Sequence, residues 1–200
     1  MLMISYLSTI DHSLFWLINA HHNVVFDYFF AIMTNLGNGW YVTPILLFIV
    51  LRKVPKSQML GFIIFSVLAM TTCGLLNSQV KKHVSRARPP AYFAAHPVVT
   101  CSANGCDTSV VHVVGKKLMR HSFPSGHTNT AVSAATLLAL SFGGWYWASF
   151  IVAFLVGYSR VYLGVHFPGD VVCGALLGFI IMWIGYILYR RFFLGENHDK

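Results

Sequence analysis

The chain has 200 residues, of which 56% are hydrophobic and only 10% charged, with a formal net charge of +8 and a mean hydropathy of +0.63. Soluble domains carry roughly 25% charged residues, so this composition excludes an ordinary soluble core and points to a polytopic helical membrane protein. Half of the fourteen Lys and Arg lie between Lys81 and Arg120, where Asp107 is the only acid. Such a cluster attracts nucleic acid, anionic headgroups or a phosphorylated substrate, and the apolar remainder argues against nucleic acid as a partner.

In chain order, residues 1–10 carry no Lys or Arg and no small-residue cleavage pattern follows, which predicts no secretory signal peptide. Residues 14–20 are apolar, but His21, His22, Asn23 and Asp27 interrupt before residues 28–33 resume. That is too broken for a clean span of about 20 apolar residues, so segment 1–38 is expected to lie at the interface or partly in the membrane, anchored by Phe15, Trp16, Tyr28 and Phe29, and to lend residues to the crossing that follows. Residues 35–39, Asn-Leu-Gly-Asn-Gly, mark a helix break. Crossings are predicted over 40–51, 59–80, 125–142, 145–158 and 169–189. Pro89 and Pro90 are expected to stop any helix that has continued past Lys81.

The expected fold is therefore all-α: a polytopic membrane bundle of about five to six transmembrane helices with an interfacial N-terminal helix. Segment 39–194 forms the membrane domain, and residues 90–122 form a polar loop too long to be a mere connection. Alternating crossings bring Lys81, Ser125, Arg160 and Asp170 to one membrane face. Arg52, Lys53, Lys56, Arg190 and Arg191 fall on the other, which the positive-inside rule assigns to the cytoplasm. Cys101 and Cys106 in the polar loop suit a small bridge outside the cytoplasm. With His112 and His121 they could instead hold zinc, but the spacing matches no strong zinc pattern. Cys73 and Cys173 read as packing residues.

Three charged segments meet on the motif face. Pro124-Ser125-Gly126-His127 precedes an apolar run, so Ser125 is an N-cap candidate, and the helix start behind it offers unpaired N–H groups to an anion. Lys81 and Arg88 are seven apart, on one face if their helix continues. Arg160 ends another helix, and Arg suits forked contacts with phosphate oxygens. His166 and Asp170 are four apart. The carboxylate is expected to accept a hydrogen bond from one ring nitrogen of His166, leaving the other free to attack phosphorus, with His127 available to protonate the leaving oxygen. His121 and Ser122 receive no role.

Taken together, Lys81-x6-Arg88-Pro89, Pro124-Ser125-Gly126-His127 and Ser159-Arg160-x5-His166-x3-Asp170 resemble the three-part signature of the type 2 phosphatidic acid phosphatase superfamily. The resemblance implies a metal- and cofactor-independent enzyme with a phosphohistidine on His166 supported by Asp170, and His127 as general acid. It also implies phosphate binding by Lys81, Arg88, Ser125, Gly126, Ser159 and Arg160. Its membrane members act on lipid phosphates, among them undecaprenyl diphosphate, phosphatidylglycerophosphate, phosphatidic acid and lipid A, so a bacterial cytoplasmic membrane with an extracytoplasmic site is the expected location. Vanadate-dependent haloperoxidases share the signature but resemble larger soluble chains. A lipid phosphotransferase also fits. A lipid-phosphate binder or transporter would need neither His166 nor His127.

Overall fold

The computed structural model describes residues 2–102 and 105–195, with the side chains of 2–5, 100–102 and 105 left aside. Capping residues divide the N-terminal part. Helix α1 (Leu2–Asn19) is followed by α2 (Val24–Met33), whose N-cap Asn23 accepts from the Phe26 amide. A 3-10 turn, Thr34–Gly37, then leads to α3 (Gly39–Lys53), capped by Asn38. The Gly-Asn-Gly break is thus a bend, with 63° between the segments on either side.

Helix α4 (Lys56–Val84) ends where Ser85 turns left-handed at φ 45°. It does not continue to Arg88, so Lys81 and Arg88 share no helical face. The two prolines that were expected to stop a helix instead begin one: with Arg88 as N-cap, α5 (Pro89–Ala95) has Pro at its first positions, where the missing N–H costs nothing. The polar loop also contains an unpredicted hairpin, β1 (Val99–Ser102) antiparallel to β2 (Gly105–Thr108), with Cys101 opposite Cys106. Cys106 is disulfide-bonded, Cys73 and Cys173 are free thiols, and the Cys101 side chain lies outside the described residues.

Helix α6 (Gly126–Phe142) leads through a second 3-10 turn, Gly144–Ala148, to α7 (Ser149–Tyr162) and then α8 (Pro168–Phe193). Segment Lys56–Ala95 and α8 are long and apolar enough to cross a bilayer, and the bent pair Val24–Gly37 with Gly39–Lys53 makes a third if it counts as one span. Helices α6 and α7, at 17 and 14 residues, reach only about 25 and 21 Å, short of a full hydrocarbon core. Leu68, Leu75, Phe154 and Leu176 are exposed on outer helix faces, as lipid-facing positions of an integral membrane protein are.

Small residues hold the centre together. Gly174 and Gly178 sit one turn apart on α8, and a Cβ on either would stand 2.5 Å from the carbonyl oxygen of Ser125 or Asn129 on α6. The two backbones therefore touch, in the manner of small-xxx-small packing between membrane helices. Away from the motif end, Phe62, Phe65, Leu137, Met182 and Tyr189 fill an apolar core between α4, α6 and α8.

The N-terminal segment docks on the bundle through a few buried side chains. Phe15 is fully buried against Phe93, Val161 and Phe167. Asn19 clasps the polar loop from α1: its Nδ2 donates to the carbonyls of His112 and Tyr162 at 2.9 and 2.8 Å, and its Oδ1 accepts from the His112 amide at 2.9 Å. Gly164, at φ +71°, lets the loop pass, because a Cβ there would overlap the His112 carbonyl. His22, which carried no expectation beyond the interface, stacks on His112, whose Nε2 meets Asp27 at 2.9 Å.

Candidate active site

The predicted residues converge at one end of the bundle. Ser125 occupies the N-cap position of α6, its amide donates to the Asp170 carbonyl at 2.9 Å, and so the starts of α6 and α8 are tied together. Its hydroxyl does not cap; it accepts from Thr128 at 2.9 Å. Lys81 reaches the same helix start: a Cβ on Gly126 would lie 3.9 Å from its Nζ and 3.5 Å from Nδ2 of the buried Asn77. His127, in the first turn of α6, packs beneath Gly37 of the first 3-10 turn, where a Cβ would come within 2.8 Å of the His127 Cβ.

His166 follows α7 in the link to α8, its amide bonded to the Arg160 carbonyl at 3.1 Å. Its side chain is 2% exposed. The Nε2 edge faces Arg88, whose Nη1 lies 3.4 Å away and also donates to the Val165 carbonyl at 2.9 Å. Arg88 Nε donates to the Arg120 carbonyl, so the guanidinium is fixed by the loop on one side and the α7–α8 link on the other. Burial pushes His166 down to about 3, and Arg160 and Arg88 push the same way against Asp170, which leaves the imidazole neutral at physiological pH.

The Nδ1 edge differs from expectation. Asp170 Oδ2 is 3.6 Å from Nδ1, longer than a hydrogen bond. Ser122 intervenes: its hydroxyl donates to Oδ2 at 2.5 Å and stands 3.4 Å from Nδ1. Oδ2 also accepts the Phe167 amide at 2.9 Å, as the carboxylate of a capping box does, and Oδ1 accepts from Arg86 Nη1 at 2.7 Å. The fully buried carboxylate is therefore held chiefly by Ser122, Arg86 and the chain itself.

Arg160 is 8% exposed. Its Nη1 donates to Thr34 Oγ1 at 2.6 Å, whereas its Nε is buried with no partner among the described residues. A guanidinium N–H without an acceptor is costly inside a protein and suits an anion that arrives later. Ser159 is fully buried, and its hydroxyl donates to the Val156 carbonyl at 2.7 Å. Arg86, Ser122, Thr34 and Asn77 are the residues that sequence reading passed over. Arg86 lies inside the basic run, and Ser122 three residues before Ser125, but neither charge nor spacing sets them apart from their neighbours.

A family model described as the PAP2 superfamily matches residues 62–194. The chain belongs to the PAP2 superfamily. Within it, the chain is 30% identical over 193 residues to a lipid A 4'-phosphatase of Bacteroides thetaiotaomicron, covering 94% of this chain and 81% of the relative. It is 29% identical over 179 residues to an undecaprenyl-diphosphatase of Sulfolobus acidocaldarius, covering 87% and 74%. The crystal structure of Aquifex aeolicus LpxE superposes with a TM-score of 0.68 at 32% identity, over 88% of this chain and 93% of that one. A transmembrane PAP2-type phosphatidylglycerolphosphate phosphatase from Bacillus subtilis reaches 0.71 at 21% identity, over 98% and 90%, and shares the fold. Three of these relatives are phosphatases or diphosphatases by name, and the residues that carry the family signature are those that converge here.

Proposed function

We propose that this chain is an integral-membrane lipid phosphatase that releases phosphate from a lipid monophosphate or diphosphate through a phosphohistidine on His166. The observation that carries the reading is the two-sided setting of that ring. Its Nε2 edge opens toward Arg88, and its other edge is backed by Ser122 and Asp170. In the first half-reaction Nε2 bonds to phosphorus, the P–O bond to the lipid breaks, and His127 gives its proton to the leaving oxygen. In the second, water attacks the phosphohistidine while His127 takes a proton, and inorganic phosphate departs.

Charge on the equatorial oxygens would be met by Arg88, by the open Nε of Arg160, by Lys81 and by the N–H groups at Gly126. Ser125 could join through its hydroxyl; Ser159 would first have to release Val156. No step requires a metal or cofactor. The substrate is a lipid phosphate, with lipid A and undecaprenyl diphosphate, named for the relatives, ahead of phosphatidylglycerophosphate and of phosphatidic acid, which the family resemblance alone implies. The chain would sit in a bacterial cytoplasmic membrane with five to six crossings, the site facing outward and the Arg52 and Arg190 end in the cytoplasm.

Phosphate release from these four lipids, measured in detergent with chelator present, tests the reading. Turnover is expected with chelator and is expected to vanish in His166→Ala and His127→Ala. Activity that depends on added metal, or that survives His166→Ala, would overturn it.

A further inference from the structure

The N-terminal helix contributes a side chain that no part of the signature contains. Asp11, in α1, reaches the start of α8: its Oδ1 accepts the Gly169 amide at 2.6 Å, and its Oδ2 accepts from Arg86 Nη2 at 2.6 Å. The other terminal nitrogen of the same guanidinium holds Asp170 at 2.7 Å. Arg86 is thus shared between two carboxylates, with its plane lying 4.2 Å over the Phe167 ring. Gly169 keeps Asp11 close, since a Cβ there would stand 3.2 Å from both carboxylate oxygens. Asp11 lies outside residues 62–194, the part of the chain that matches the family model.

We infer that Asp11 is a positioning residue for the reaction: through Arg86 and the Gly169 amide it fixes the Asp170 carboxylate, and thereby the charge and orientation behind His166. The inference rests on His166 being the nucleophile. Two physical arguments support it. First, a long guanidinium held by one carboxylate can swivel, whereas one held by two at opposite forks cannot, so Asp11 sets where Arg86 pulls on Oδ1. Second, the charges of Asp11, Arg86 and Asp170 sum to −1. Without Asp11 the sum is zero, and the field that favours positive charge on His166 as it bonds to phosphorus is weakened to that of the Asp170–Arg86 dipole. Capture of the Gly169 amide adds a further effect, because that N–H belongs to the first turn of α8, where a carboxylate is favoured by the helix dipole. The N-terminal segment is therefore part of the catalytic apparatus, although it contributes no group to the phosphate.

Asp11→Asn keeps an oxygen for Gly169 but removes the charge. On the best lipid substrate in detergent, its kcat is expected to fall roughly tenfold to a hundredfold while KM stays within about twofold. Adding Asp11→Asn to Arg86→Gln is expected to cost less than about twofold more, because the two residues act as one unit. Arg86→Lys carries the test from the other side: a point charge can neutralise Asp170 but cannot bridge both carboxylates, so its kcat should fall similarly and become insensitive to Asp11→Asn. A monodisperse Asp11→Asn enzyme with kcat within about twofold of wild type would overturn the inference, as would losses that multiply independently in the double variants. His166→Ala separates the two levels. If it is inactive while Asp11→Asn is unaffected, the positioning role alone is wrong; if it is active, the nucleophile assignment is wrong.

Discussion

The same three helices, α4, α6 and α8, are held together by different forces at their two ends. At the motif end the backbone of α8 rests on Ser125 at Gly174, Asn77 and Lys81 of α4 reach the α6 start at Gly126, and a network of charged hydrogen bonds surrounds a fully buried Asp170. At the other end Phe65 stacks on Tyr189 and Phe62 meets both edge-on, with ring centroids 4.7 to 5.9 Å apart and no charged group among them. Apolar packing tolerates small displacements at modest cost, whereas a buried carboxylate that loses a partner costs several kcal/mol, on the order of 3–5. The cohesive end can therefore shift slightly without harm to the site and carries stability, while the chemical end has to be complete for turnover.

Substitutions can break this contrast or sharpen it. His166→Ala should remove turnover altogether, a loss of roughly a thousandfold or more, while leaving the detergent melting midpoint close to wild type. Arg88→Lys should lower kcat roughly a hundredfold, because a single ammonium cannot both face Nε2 and hold the carbonyls of Val165 and Arg120. Ser122→Ala removes the donor to Asp170 and the contact to Nδ1, and a fall in kcat of about tenfold is expected in steady-state assays. Phe65→Ala at the opposite end should do the reverse: a clearly lowered melting midpoint with kcat per folded enzyme within about twofold. Equal kinetic sensitivity at both ends would dissolve the distinction.

Titration adds a smaller effect with a definite sign. His166 is depressed from 6.5 to about 3, so below its ordinary value the unfolded chain binds a proton that the folded chain refuses. Stability from this group is intact above pH 6.5 and is lost progressively as pH falls toward 3. His166→Gln should flatten the acid side of a thermal-stability profile over that window. In wild type, kcat/KM should show no inflection from free His166 between about pH 5 and 8.

Much of this was legible in the sequence because charge is scarce. With so few ionisable residues, Lys81, Arg88, Arg160, His166 and Asp170 stood out, and alternating crossings sufficed to bring them together. Pro168 and Asp170 announced the start of α8 through their residue types. What stayed hidden lacked contrast or was distant. Arg86 was one cation in a run of seven, and its difference from Lys82 appears only when Asp11 and Asp170 flank it. Asp11 itself meets Gly169 across 158 positions of chain, and no local pattern can encode such a contact. The hairpin of β1 and β2 was missed because eight residues in a polar loop carry almost no period-2 signal.

The glycines of α8 have one more consequence. Fixing the spacing of two helices with side chains would leave rotamers to settle and atoms to compress. Here the width on the α6–α8 side is set by bare backbone resting on bare backbone, where nothing remains to yield. The spacing beside Ser125 is thus specified by atoms the sequence leaves out. A single methyl group, Gly174→Ala, would widen the gauge at Ser125 without touching a charge.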